Sequence, residues 1–127
     1  MPGARSHEAL IAWQLAHALK LRVHALLRVG TAGRDRDFAA RLRRSAAAAP
    51  RTIADGFGTD LPGDFATHLW CANGAIRETY DALQDGCGKG HFSRDDVVPL
   101  LGLATRSSKA ATNLTAYLRT ATRSDRP

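Results

Sequence analysis

Two cysteines, Cys71 and Cys87, are too few to give this 127-residue chain a secreted disulfide framework. On one helix, sixteen residues apart, they would sit about 24 Å from each other, beyond the reach of a bridge. A reduced, cytoplasmic chain is the reading that follows. Long apolar runs are also missing. The richest stretch, residues 9–19, is interrupted by Gln14 and His17 and is too short to span a bilayer, so no membrane association is expected. Met1 to Glu8 lacks the basic-then-apolar order of a secretory leader. No segment alternates as a half-buried strand does, and neither a repeat nor a low-complexity linker divides the chain. Aromatic residues make up 6% of the sequence, and none alternate with basic residues as in a base-stacking groove.

Catalytic and metal motifs are equally scarce. There is no His-Glu-x-x-His, no Cys-x-x-Cys and no Glu-x-x-His pair among the five histidines and two cysteines. Asp64, His68 and Cys71 share one helix face at offsets of four and three, but nothing completes a metal or thiol site around them. The helix dipole explains Asp64 as well. Ser45, Ser93 and Cys71 each lack the oriented base that nucleophilic catalysis needs. Gly56-x-Gly58 and Gly86-x-Gly88-x-Gly90 do not follow strands and lack a Lys-Ser/Thr ending, so they read as helix terminators, not phosphate loops. A non-enzymatic protein with no catalytic residue, metal or cofactor is expected.

Helical periodicity is present throughout. One helix is predicted at about residues 7–29, rich in Ala and Leu and ending before Gly30-Thr31-Ala32-Gly33. Leu10, Trp13 and Leu21 lie on one side of it and Ala12, Leu15, Leu19, Val23 and Leu26 on another, so two sides read as buried, one of them suited to another subunit. A second, about 35–57, starts at Asp35 as a cap and carries Phe38, Leu42, Ser45, Ala49, Ile53 and Phe57 at steps of three and four. Pro50 lies inside that pattern and predicts a kink, while Gly56 and Gly58 close the helix. A third, about 63–86, has the seam Phe65, Leu69, Ala72, Ile76, Tyr80 or Thr79, Leu83 and Cys87. The last, about 94–122, opens on Ser93 and Asp96 as a capping box and carries Val97, Leu100 or Leu101, Ala104, Ser108, Ala111, Leu114 and Leu118. Pro99 leaves Val98 as an alternative start. Four helices joined by short turns predict a single all-α domain over residues 1–127, an antiparallel up-down-up-down four-helix bundle.

The net charge of +6 is uneven. Residues 20–51 hold nine basic side chains against two acidic, while residues 52–90 hold two basic against six acidic. Arg41 and Arg44 are one turn apart on the second helix, with Arg43 beside them and Arg51 about two turns on. These four are the candidate contacts to RNA or DNA phosphates. The competing reading pairs them with Asp55, Glu78, Asp81 or Asp85 on neighbouring helices or subunits.

Leu42-Arg43-Arg44, followed by Ala49-Pro50-Arg51-Thr52-Ile53-Ala54-Asp55-Gly56-Phe57-Gly58, resembles the signature of the small four-helix-bundle proteins encoded in 23S ribosomal RNA intervening sequences. These are often labelled ribosomal proteins. Phe65, Leu69, Ala72, Gly74 and Glu78 match the next helix of that family in register, and Trp13-Gln14 with Ala16 resembles its opening helix. Thr52, Asp55 and Thr59 depart from its usual Asn, Glu and Arg. A more distant similarity is to the accessory protein of diversity-generating retroelements, a pentameric bundle with a positive surface. The resemblance implies a homo-oligomer, a homopentamer in particular, without catalysis. It also marks Trp13, Pro50, Asp55, Gly56, Gly58 and Glu78 as family-motif or subunit-interface positions. Two expectations stand side by side: a cytoplasmic homo-oligomer that binds RNA or DNA through basic residues, and a scaffold for a protein partner with no nucleic-acid binding.

Overall fold

A computed structural model of the protein describes residues 6–124, with side chains through residue 120. A short 3-10 turn, His7–Ala9, leads into α1 (Ile11–Leu27), and α2 (Arg36–Phe57), α3 (Pro62–Gly88) and α4 (Arg94–Ser124) follow. Each helix packs against its neighbours in sequence, and α1 closes the square against α4. The fold is therefore an all-α four-helix bundle, as the periodicity predicts.

Local chemistry accounts for the helix ends. Asp35 caps α2 by accepting a hydrogen bond from the Phe38 amide at 3.3 Å. Pro62 opens α3 at a position where its missing amide costs no intrahelical bond. Ser93 Oγ accepts from the Asp96 amide at 3.1 Å, while the Asp96 carboxylate accepts from the Ser93 amide at 3.4 Å. This reciprocal box starts α4 at Arg94, ahead of Pro99 and not at the alternative Val98. The α2 helix continues through Pro50, which is buried. Only glycines have left-handed backbone among the described residues: Gly30 at φ 72° and Gly90 at φ 79°, both in turns after helices.

The core follows the predicted seams with local shifts. Leu19, Val23, Leu42, Ile53, Leu69, Ile76, Leu83 and Val97 are fully buried. Thr79, not Tyr80, takes the seam position in α3, and Ser107, not Ser108, takes it in α4. In α1 the buried line is Ala12, Ala16, Leu19, Val23 and Leu27, whereas Leu15 and Leu26 are half-buried and Leu21 is exposed. On the other predicted side Leu10 is buried and Trp13 half-buried against the core, so Leu21 is the one of those three left exposed.

Two glycines read as terminators have packing roles instead. Gly86 is buried within α3, where an added Cβ would lie 2.4 Å from two ring carbons of Phe92. Gly56 is buried in α2, where a Cβ would lie 2.6 Å from the Cβ of His68 and 2.9 Å from the Phe65 ring. Both positions let neighbouring side chains approach a helix backbone that any larger residue would hold away. Gly58 does fulfil its predicted role, capping α2 with an amide that donates to the Ala54 and Asp55 carbonyls.

Candidate nucleic-acid interface

The surface of α2 is organised by alanine. Ala47 and Ala48 lie between Arg43 and Arg44 on one side and Arg51 on the other, so only methyl groups separate the arginine stems. Helical rise puts Arg44 and Arg51 about 10 Å apart along the axis. Together these residues line a groove of about 510 Å³, which His24 of α1 and Glu78 of α3 also border. Arg43, Arg44 and Arg51 are exposed, and among the described residues none lies within 4.0 Å of a carboxylate.

Arg41 is placed differently. Its Nη1 donates to Asp85 Oδ2 of α3 at 3.1 Å, and both side chains are about half exposed. An exposed pair of this kind contributes on the order of 0–1 kcal/mol. It also orients Arg41 along the α2–α3 seam, apart from the groove that the other three share. The structure thus brings Arg43, Arg44 and Arg51 together and separates Arg41 from them.

His24 adds a titratable group to the groove. Its pKa lies below the ordinary histidine value, first because partial burial disfavours the imidazolium and then because Lys20, Arg43 and Arg28 are close. An anion entering the groove would offset that positive field and favour protonation.

The remaining motif positions are dispersed. Trp13 is half-buried on α1 and stacks on His17 with ring centroids 4.6 Å apart. Pro50 and Gly56 belong to the interior, Gly58 to a cap, and Asp55 to the exposed surface one turn beyond Arg51. Within the chain, Glu78 borders the basic groove without reaching ion-pair distance. On α3, His68 Nδ1 donates to the Asp64 carbonyl at 2.7 Å, while Cys71 faces solvent. Among the described residues, no group of three or more His, Cys, Asp or Glu side chains converges as a metal site.

One polar cluster escaped the sequence reading. His91, in the α3–α4 connection, meets Thr31 Oγ1 with Nδ1 at 2.9 Å and Asp35 Oδ2 with Nε2 at 3.0 Å. Lys89 Nζ lies 3.7 Å from the same carboxylate and 5.3 Å from the centre of the Phe38 ring. Asp35 was legible as a cap, but nothing local announces a partner 56 residues away. The cluster fastens two interhelical connections to each other.

Taken together, the packing and the groove define a small helical bundle that carries a basic surface on α2. The chain belongs to the family described as 23S rRNA-intervening sequence protein, which matches residues 8–113. That span contains all four helices in whole or part, and every residue of the groove. A search of curated proteins gives no match. Among the described residues, no helix is long and apolar enough to cross a membrane.

Proposed function

We propose that this protein is a non-enzymatic, cytoplasmic, homo-oligomeric nucleic-acid-binding protein that meets RNA or DNA phosphates through Arg43, Arg44 and Arg51. The observation that carries this reading is the convergence of these three exposed arginines on one groove, with no carboxylate at ion-pair distance among the described residues. Guanidinium groups suit phosphate oxygens because their donors are fixed in a planar fork. Assembly strengthens the reading. In a five-membered ring, as the family resemblance implies, +6 per chain becomes about +30, and several grooves can engage one polyanion.

Filter binding of structured RNA across a salt series tests the proposal. The expected result is an affinity that falls steeply with salt. Arg43→Ala with Arg44→Ala should reduce the slope by about one unit per lost contact, while Arg41→Ala has a smaller effect. Affinity indifferent to salt, or unchanged in the double variant, overturns it.

Glu78 at the groove's border supports a second reading, a protein scaffold in which the arginines of one subunit meet carboxylates of another subunit or partner. Sedimentation separates the two. If Arg43→Ala with Arg44→Ala dissociates an oligomer and no RNA binding is found in the parent protein, the scaffold reading stands.

A further inference from the structure

A second depression lies between α3 and α4, and it is built from different residues. On α3, Trp70, Asn73, Gly74 and Arg77 share a face at helical spacing, and α4 supplies Thr112 and Arg119 across a cavity of about 380 Å³. Arg77 and Arg119 are the charged residues of its lining. Among the described residues, neither is at ion-pair distance from a carboxylate.

Three features of the cavity lack an explanation within the chain. Trp70 is 71% exposed, the most exposed large hydrophobic side chain among the described residues. Gly74 lies inside α3, and a Cβ there would meet nothing within 4 Å, so packing within the chain does not require glycine. Its absent side chain leaves the cavity open beside the indole. Asn73 Nδ2 donates to Thr112 Oγ1 at 3.2 Å, but the buried Asn73 Oδ1 has no hydrogen-bond partner. Asn73 Oδ1 is therefore the polar atom of the lining that no group of the chain satisfies.

The register of the helices arranges these groups in order. The Asn73–Thr112 bond marks where α3 and α4 face each other. Arg77 lies four residues beyond Asn73, and Arg119 lies seven residues beyond Thr112 on an antiparallel helix, hence in the opposite direction. Helical rise separates the two backbones by about 16 Å along the bundle, with Trp70 between them. Arg77 and Arg119 thus place positive charge to either side of an exposed aromatic side chain along the cavity.

We infer that this cavity binds one nucleotide unit of a single-stranded nucleic acid, its base stacked on Trp70 and its flanking phosphates met by Arg77 and Arg119. A π-face beside positive charge, with no acidic group in the lining, is the chemistry of single-strand recognition. Two cations on opposite sides of the ring suit a base within a strand better than a free nucleotide bearing a single phosphate. The aromatic–basic combination was invisible as a linear alternation because its parts are spaced by helical turns and divided between two helices. This inference does not rest on the α2 arginines.

The test uses calorimetry on the full chain with adenosine, AMP, adenosine 3′,5′-bisphosphate and a single-stranded hexanucleotide as probes. Affinity is expected to increase in that order, with the bisphosphate at least about tenfold tighter than adenosine. Trp70→Leu should abolish adenosine binding, and Arg77→Gln with Arg119→Gln should weaken the bisphosphate at least about tenfold while sparing adenosine. Circular dichroism of each variant checks that the helices remain. In a Trp13→Phe background Trp70 is the sole tryptophan, and saturable quenching of its fluorescence by the bisphosphate is expected. Quenching of Trp70 reports this cavity alone, which separates it from any phosphate held in the α2 groove. The inference is overturned if the bisphosphate gives no saturable binding up to about 1 mM, if AMP binds as tightly as the hexanucleotide, or if Trp70→Leu binds normally. A Trp70→Leu variant that only dissociates an oligomer, with no nucleotide bound by the parent protein, also overturns it and assigns the cavity to a subunit contact.

Discussion

His91 Nε2 lies 3.0 Å from Asp35 Oδ2 and joins the α3–α4 connection to the start of α2. The same Asp35 carboxylate caps α2 through its other oxygen, so one side chain serves a local and a long-range role. Its pKa is held below the ordinary carboxylate value, first by the hydrogen bond with His91 and then by the Phe38 amide.

The direction of that shift gives the first prediction. A lowered folded-state pKa means that the ionised Asp35 contributes stability above the unfolded value of 3.8, and that this contribution is lost as pH falls through the folded value. Urea midpoints measured from about pH 6 down to about pH 2.5 should show an acid-side loss that Asp35→Asn reduces. An unchanged acid slope in that variant would place the effect on other carboxylates.

His24 predicts a pH effect of the same sign in a different window. Its folded-state pKa is below 6.5, so the unfolded chain binds more protons there and stability rises with pH through the region below 6.5. NMR titration of the ring should show the lowered value. Arg43→Ala should move it upward by removing one of the neighbouring positive charges, and bound phosphate should do the same. No movement in either case would separate His24 from the groove.

Close packing at Gly86 makes the third prediction. Gly86→Ala should destabilise the protein by about 1–3 kcal/mol, because its Cβ would fall on the Phe92 ring. Gly102→Ala is the control. A Cβ there meets nothing within 4 Å in the interior of α4, and helix propensity alone should add about 0.5–1 kcal/mol. Chemical denaturation of both variants reads the opposite signs.

A buried hydroxyl pair supplies the fourth. Thr79 Oγ1 lies 2.9 Å from Ser45 Oγ across the α2–α3 interface, and Ser45 donates onward to the Leu42 carbonyl at 3.2 Å. Thr79→Val keeps the shape and removes the bond, and should cost about 1–2 kcal/mol. Adding Ser45→Ala should cost less than the sum of the single changes, since the Thr79–Ser45 bond is already lost in the first. Strict additivity in the double-mutant cycle would show that the two residues do not interact.

The helices were legible because their determinants are local. Asp35 before Phe38, Ser93 before Asp96, and the steps of three and four from Phe65 to Leu83 act within one or two turns. Their structures follow those signals closely. Shifts such as Thr79 for Tyr80 and Ser107 for Ser108 are single-residue rotations about a helix. Neighbouring helices decide those rotations, since adjacent positions differ by about 100° and either can face the core. Gly86 was misread for a related reason. A glycine near a helix end looks like a terminator until Phe92 is seen against it.

The basic section of residues 20–51 was equally plain in the sequence, but composition could not divide its arginines. Arg41 is paired with Asp85, 44 residues away, while Arg43, Arg44 and Arg51 gather with His24 around one groove. Trp70 and Arg77 acquire Arg119 as a neighbour only when α4 returns alongside α3. The sequence by itself determined four amphipathic helices, their principal caps and the placement of charge along the chain, because those properties depend on residues a few positions apart. The tertiary structure decided which charges are paired, which glycines carry packing and which aromatic side chain remains exposed. Those outcomes depend on helix rotation and register, which the whole core sets at once.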